Sequence, residues 1–450
     1  MNLPFSLFRA VCYADIFDFP LTLREAKESA IVVGTPLSRI HIQNEIQEQG
    51  GYLFLRGREH LVYERLKRKK TNEEKLNRAK RGAQFLSKIP TISALFLTGG
   101  VAVGNAQEND DIDFMIITKP GWLWTTRCVV VLLSKMLGVY THKRVLRSES
   151  TQHDANTWCL NLWLDETALE VPKEQRNLYT AHEVIQAVPL FDRHAIADEF
   201  LSKNRWASDY IAPRILPRNN LPEQKITSRS LIENFCFWMQ YQYMKHSMTH
   251  EKISRSFAFF HPMHTSNDVL RLYQTYMQRY AQPIPYFYTQ PKIKQVIDRL
   301  GRLRKDGKTI VLATGVFDLL HDEHRNFLMA AKRAGDVLVV GVESDKRARE
   351  LKGEGRPKEP QNIRLKKLKE LSFIDFAFIL PENFNTQEDY EYLLRYMHPQ
   401  IYACSSHTLH QENKQRLMKR YGGELVVVHT HNPYVSTTRS LKEKQRSKNV

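Results

Sequence analysis

The stretch Lys308-Thr-Ile-Val-Leu-Ala-Thr-Gly-Val-Phe-Asp-Leu-Leu-His-Asp-Glu-His-Arg-Asn-Phe-Leu328 decides how the last third of this chain folds. Its apolar, β-rich run from Thr309 to Ala313 reads as a buried strand, and Gly315 follows as a turn residue that permits close backbone approach. His321 and His324 stand three apart. With a helix over Asp322 to Ala334 they fall at its first turn, where unpaired amides and the helix dipole favour an anion. A strand, a glycine turn and a helix start with two imidazole donors predict a phosphate site. An ordinary strand–helix unit with two incidental histidines is the plainer alternative.

The strand–helix pattern continues. Apolar runs at Thr309 to Ala313, Val337 to Val342, Phe376 to Leu380, Ile401 to Cys404 and Leu425 to His429 alternate with helical segments. This predicts an α/β, doubly wound parallel sheet (Rossmann-like) with ligands at the carboxyl ends of the strands. The series Gly315-Val316-Phe317-Asp318, His321-x-x-His324, Val339-Val340-Gly341-Val342-Glu343-Ser344-Asp345, Leu351-Lys352-Gly353, Arg356-Pro357, Arg364 and Ser436-Thr437-Thr438 resembles the cytidylyltransferase-like family. The nearest likeness is to the nucleotidyltransferase domain of ADP-heptose synthase and to glycerol-3-phosphate cytidylyltransferase, and it covers less than a third of the chain.

The resemblance implies that His321 and His324 hold phosphates and stabilise the transition state, with Lys352 adding a cation. It places Ser436, Thr437 and Thr438 at the start of a last helix, on the β and γ phosphates. Gly315, Phe317, Asp318 and Arg356 join the nucleotide cradle, Arg364 is a further candidate, and Asp318 arranges the loop or a magnesium ion. Two departures stand out. Glu323 occupies the glycine position of the family's H-x-G-H, and Ala403-Cys-Ser-Ser-His407 replaces a lysine-glycine-glycine-aspartate segment, which points to a different acceptor.

With 450 residues, 42% hydrophobic and 26% charged, the chain has the composition of a multidomain globular protein. A net charge of +17 favours polyanionic partners. Five cysteines without a C-x-x-C pair argue for reduced thiols in a cytoplasm and against zinc. The most apolar window, Trp122 to Tyr140, carries Arg127 and Lys135, so it reads as a buried helix and no membrane partner is expected.

Residues 1–70 read as three helices, the third over Leu37 to Gln49, and a hairpin at Gly50 to Gly57. This pattern resembles a winged helix-turn-helix, in which Arg39, His41, Arg56 and Lys67 to Lys70 would contact nucleic acid phosphates; a packing scaffold is the alternative. In residues 71–205 a helix over 72–88 precedes a strand at Ala94 to Thr98, the pair Gly99-Gly100, and a strand carrying Asp111 and Asp113 on one face. Converging carboxylates suit Mg²⁺ with substrate phosphates. This α+β arrangement resembles the DNA polymerase β-like nucleotidyltransferases, which assigns Gly99 and Gly100 to phosphate and Asp111 and Asp113 to metal. Asn161 or Asp165 stands where a third carboxylate is expected.

Residues 206–300 read as a helical extension, with Leu231, Phe235, Trp238 and Met239 as a core stripe and aromatic loops at Phe257 to Pro262 and Pro283 to Tyr288. Residues 306–442 form the cytidylyltransferase-like domain. The expected activity is transfer of a nucleotidyl group from CTP or ATP to a phosphorylated polyol or sugar, with Mg²⁺ and release of pyrophosphate. The alternatives are a nucleotide-sensing, DNA-binding regulator and an adenylyltransferase acting on protein or RNA.

Overall fold

Phe8, Val11 and Cys12 share the buried side of the first helix, α1 (Phe5–Asp15), whose residues from Leu7 to Asp15 are all buried. The computed structural model describes residues 4–34, 45–140, 157–212, 230–245, 252–259, 264–282, 284–408 and 410–430. Contacts divide the chain into two units: residues 1–54 with 61–282, and residues 55–60 with 283–450.

In the first unit β1 (Leu21–Thr22) leads into α2 (Leu23–Glu28), where Thr22 and Glu25 form a capping box. Strands β2 (Ile46–Gln49) and β3 (Tyr52–Leu55) complete a three-stranded sheet in the order β1-β3-β2. The helix expected over Leu37 to Gln49 therefore fails at its end. Gly50 (φ 58) and Gly51 (φ 81) supply the left-handed backbone of a tight hairpin, which turns Ile46–Gln49 into a strand. Arg39 and His41 lie outside the described residues.

Helix α3 (His60–Leu86) runs unbroken for 27 residues, so the helix expected over 72–88 is its second half. Lys67, Lys69 and Lys70 are exposed in mid-helix, and Arg68 Nη1 donates to Asn105 Oδ1 at 2.7 Å. The basic run thus wraps around a long helix, with Arg68 turned towards Asn105 and the lysines towards solvent.

The larger sheet of this unit is built from β4 (Ile92–Thr98), β5 (Ile112–Thr118), β6 (Trp158–Asp165), β7 (Val188–Asp192), β8 (Lys252–Ile253) and β9 (Phe257–Phe259), in the order β7-β4-β5-β6-β9-β8. Only β5 and β6 run parallel among its pairs. Between and after these strands come α4 (Gly99–Val103), α5 (Leu123–Met136), α6 (Leu178–Gln186), α7 (Ile196–Lys203), α8 (Leu231–Met244) and α9 (His264–Ala281). Phe257–Phe259, read from sequence as a loop, pairs with β6 and extends the sheet.

Helix α8 turns the opposite face inward from the one expected. Leu231, Phe235 and Trp238 are 87%, 61% and 58% exposed, while Glu233, Cys236, Gln240 and Met244 are buried. Polar pairing decides this. Glu233 accepts from Trp124 N (2.8 Å), Thr125 N (2.9 Å) and Thr125 Oγ1 (2.7 Å) at the amino end of α5, and Gln240 bonds both Arg127 and Trp124 O. A carboxylate at a helix start contributes about 0.3–2 kcal/mol beyond its hydrogen bonds. Helix α5 is accordingly buried on one side only, with Leu132 and Met136 exposed. Among the described residues no helix is long and apolar enough to cross a membrane.

The second unit carries α10 (Tyr286–Thr289), α11 (Pro291–Lys305), α12 (Asp322–Arg333), α13 (Asp345–Lys352), α14 (Gln361–Lys369), α15 (Gln387–Met397) and α16 (Gln411–Arg420). Its strands are β10 (Ile310–Gly315), β11 (Val337–Val342), β12 (Phe376–Ile379), β13 (Ile401–Ser405) and β14 (Glu424–His429). All pairs are parallel, in the order β12-β11-β10-β13-β14. The expected doubly wound sheet is present. Alternate residues of the strands feed two cores: Leu312, Val339 and Tyr402 pack with Leu300, Met397 and Met418, whereas Val311, Ala313 and Leu338 pack with Leu328 and Leu368. Ile293 and Leu300 of α11 belong to the first of these cores, so residues from 283 onward group with this sheet rather than with the preceding helices.

Gly99 shows how tightly the first unit is built around its aspartates. Its φ is 68, and a Cβ there would lie 2.5 Å from Asp113 Oδ2. Gly99→Ala is expected to lower stability by about 1–3 kcal/mol in chemical denaturation. An unchanged midpoint would contradict this packing.

Candidate functional site

The order of the parallel strands reverses between β10 and β13, and a crevice opens outside the carboxyl ends of strands at such a point. A cavity of about 700 Å³ lies there, bounded by Gly315 and Phe317 on one side and Ser405 and His407 on the other. It is lined by Gly315, Phe317, Asp318, His321, His324, Lys352 and Arg356, so most of the residues singled out from the sequence converge on it. Ser436, Thr437 and Thr438 lie outside the described residues.

The loop from β10 to α12 is strained. Phe317 (φ 50) and Leu319 (φ 51) both hold left-handed backbone, a conformation that persists in such residues only where the surroundings enforce it. Gly315 must lack a side chain, because a Cβ would approach the Phe317 ring to 2.9 Å. Asp318 supplies the enforcement: it accepts from Arg356 Nη1 at 2.6 Å, Lys358 N at 2.9 Å and Glu359 N at 3.1 Å. Burial would raise the Asp318 pKa, yet these hydrogen bonds prevail and hold it below its usual range. Its carboxylate arranges the loop.

Arg364 is buried and differs from a phosphate-facing arginine. It donates to Val316 O (2.5 Å), Glu359 O (3.0 Å) and Asp345 Oδ1 (2.7 Å), and so clamps the loop from beneath. Arg356 and Lys352 remain in the cavity wall.

His321 caps α12, and its ring stacks on that of His324 with centroids 3.9 Å apart. Phe317 packs edge-on against His324 at 5.6 Å. Burial first, then the neighbouring charges of His321 and Lys352, push the His324 pKa down to about 3. The imidazole is neutral at pH 7. Its buried Nδ1 has no hydrogen-bond partner among the described residues. Glu323 is drawn aside, since its Oε2 bonds His429 Nε2 at 2.8 Å and ties the start of α12 to the end of β14.

Four residues that the sequence reading left without a role, Glu343, Tyr390, Tyr402 and Lys414, complete the far wall. Glu343 follows β11 directly, and its amide donates to Gly315 O at 2.9 Å. The side chain is 4% exposed, and its Oε2 has no hydrogen-bond partner among the described residues. Burial, opposed by Arg347, Lys414 and Arg364, pushes its pKa up to about 7. Lys414 Nζ lies over the rings of Tyr390 (4.8 Å) and Tyr402 (5.4 Å), and burial lowers its pKa. For Glu343 the available signal was position: the first residue past the carboxyl end of a strand, one strand from the strand-order reversal.

In the first unit Asp111 and Asp113 alternate with buried Ile112 and Phe114, as expected, and Thr157 Oγ1 donates to Asp111 Oδ1 at 2.9 Å. Gly99 and Gly100 open α4 at the end of β4, beside them. Asp165 is excluded as their third carboxylate. It pairs in register with Thr118, about 16 Å along the sheet from Asp113, and bonds Thr167 N and Gly121 N instead. Asn161 donates to Cys159 Sγ. The carboxyl that feels Asp113 is Glu183 on α6, pushed up to about 7 by burial first and then by the Asp113 charge. Among the described residues no three His, Cys, Asp or Glu side chains form a ready-made metal cage.

Comparison with known proteins supports the reading of the second unit. Residues 312–450 match the family described as cytidylyltransferase-like. Bifunctional protein HldE of Campylobacter fetus subsp. fetus is 45% identical over 87 residues, 19% of this chain and 19% of that protein. HldE of Desulfatibacillum aliphaticivorans is 31% identical over 163 residues, 36% of this chain and 32% of that protein. The chain thus spans between a fifth and a third of these relatives. The crystal structure of the lipopolysaccharide core biosynthesis protein from Thermoplasma volcanium GSS1 is 28% identical and covers 29% of this chain and 100% of its own, at a TM-score of 0.24 that is too low to bear on the fold.

Glu343 gives a pH test. Its pKa is raised to about 7 in the fold from an ordinary value of 4.5, so the unfolded chain loses the proton first and stability falls as pH rises through that window. Glu343→Gln should therefore raise Tm at pH 8, where the penalty of roughly 3 kcal/mol is close to fully developed, and much less at pH 5. Equal shifts at both pH values in thermal denaturation would show that the carboxyl is not buried.

Proposed function

We propose that the second unit transfers a nucleotidyl group from CTP or ATP to a phosphorylated polyol or sugar and releases pyrophosphate. The observation that carries this reading is the stacked His321–His324 pair at the start of α12, inside a cavity that also holds Lys352 and Arg356. In the reaction an acceptor phosphate oxygen attacks the α-phosphorus, the bond to the β-phosphate oxygen breaks, and pyrophosphate departs. Negative charge grows on the phosphate oxygens, and fixed donors aimed at them lower the barrier without a covalent intermediate. A neutral His324 donates one ring N–H to such an oxygen. A bound triphosphate also favours the imidazolium, which lets the same ring gain charge as the leaving group does.

For the first unit we propose a DNA polymerase β-like nucleotidyltransferase fold with an N-terminal winged-helix-like scaffold. Asp111 and Asp113 would hold Mg²⁺, which accepts one or two carboxylates together with phosphates and would neutralise triphosphate charge. Glu183, raised by burial first and then by the Asp113 charge, is a further carboxyl that feels this pair. A regulatory reading, in which basic residues contact DNA and both transferase folds sense nucleotides, draws on Glu323 and Asn161 at positions where the resembling families carry other residues.

The test is turnover. His324→Ala should lower kcat for pyrophosphate release by about 10²–10³ with little change in nucleotide KM, because the donor acts mainly on the transition state. Wild-type turnover in His324→Ala, or no pyrophosphate release by the wild type with CTP or ATP and any phosphorylated polyol or sugar, would leave the regulatory reading in its place.

A further inference from the structure

We infer that Glu343, with Lys414 and the rings of Tyr390 and Tyr402, forms a subsite that selects the hydroxyl-bearing body of the acceptor. The inference rests on the transferase reading for calling that molecule the acceptor. Its physical basis is independent of it.

Glu343 lines the cavity, and its buried Oε2 has no hydrogen-bond partner among the described residues. Leaving such an atom unsatisfied is unfavourable, and native proteins rarely do so without a ligand or water to complete it. The surroundings restrict what can complete it. A cationic ligand would meet the positive charges of Arg347 and Lys414, which already act on this carboxyl. A phosphate or carboxylate would be repelled by Glu343 itself. Neutral donors remain, and adjacent hydroxyls match the two oxygens of one carboxylate.

Placement agrees. Tyr402 shares a core with Leu312 and Val339, on the sheet face covered by α15 and α16, and Thr314 Oγ1 bonds the Tyr402 hydroxyl at 2.5 Å. Phe317, which touches His324, packs in the core of the opposite face. The cavity therefore has a histidine end suited to phosphates and a carboxyl end lined by aromatic rings. Rings beside a few fixed polar groups orient a bound small molecule, and the apolar C–H face of a sugar or polyol suits them.

The test is calorimetric titration of the full chain with glycerol 3-phosphate, ribitol 5-phosphate and glucose 1-phosphate, using inorganic phosphate as the control without hydroxyls. At least one of the three should bind the wild type about tenfold or more tightly than inorganic phosphate, a gain matching one or two charged hydrogen bonds. Glu343→Gln should lose most of that excess while CTP and ATP bind unchanged. In the wild type the excess should shrink as the pH falls from about 8 to about 5 and the carboxyl takes up a proton. The subsite is overturned if none of the three exceeds inorganic phosphate, or if the excess survives in Glu343→Gln. A Glu343-dependent excess without pyrophosphate release would uphold the subsite and remove the transferase reading. Pyrophosphate release with an acceptor KM untouched by Glu343→Gln would do the reverse.

Discussion

The carboxylate of Asp318 is the interaction on which the second unit's site depends. It gathers Arg356 and the amides of Lys358 and Glu359 against a loop that carries two left-handed, non-glycine residues. Without it, Phe317 and Leu319 lose a principal restraint against relaxing to ordinary backbone, a strain of about 1–3 kcal/mol each. Relaxation would move His321 and His324, since both stand on the helix that this loop begins. Arg364 closes the same arrangement from below by bonding Val316 O and Glu359 O. The site is held rigid by these charged hydrogen bonds together with the packing of Phe317 in the core.

That rigidity explains how two ends of one cavity acquire different chemistry. At the histidine end, burial first and then the influence of His321 and Lys352 keep His324 neutral until an anion arrives. At the other end, burial raises Glu343, and Arg347 and Lys414 oppose the rise. Each group is displaced from its ordinary titration by its surroundings, and each displacement would be relieved by a different ligand: a phosphate at the imidazoles, neutral donors at the carboxyl. Glu323, the acidic residue that looked most out of place, is withdrawn from this balance by His429.

Much of the second unit was legible because its signals are local. Five apolar runs separated by helical segments specify a parallel sheet, and a glycine turn before two histidines specifies where an anion would sit. What escaped reading depends on register or on partners distant in sequence. Glu343 became notable only once β11 and β13 brought it opposite Lys414 and Tyr402. Asp165 lost its candidacy because the parallel register of β5 and β6 places it opposite Thr118, far from Asp113. Leu231, Phe235 and Trp238 formed an apolar stripe that lost to Glu233 and Gln240, whose partners lie over a hundred residues away. The helix expected to end at Gln49 gave way to a hairpin because two consecutive glycines took left-handed φ.

The proposed function turns on His324 as a half-buried, neutral imidazole facing a phosphate site. Nuclear magnetic resonance of the histidine ring protons across pH, with and without CTP or ATP, tests it most directly. In the free protein His324 should stay neutral to well below pH 6.5, in keeping with a pKa near 3, and nucleotide should raise its pKa by one unit or more. A ring that titrates near pH 6.5 and ignores both nucleotides would contradict it.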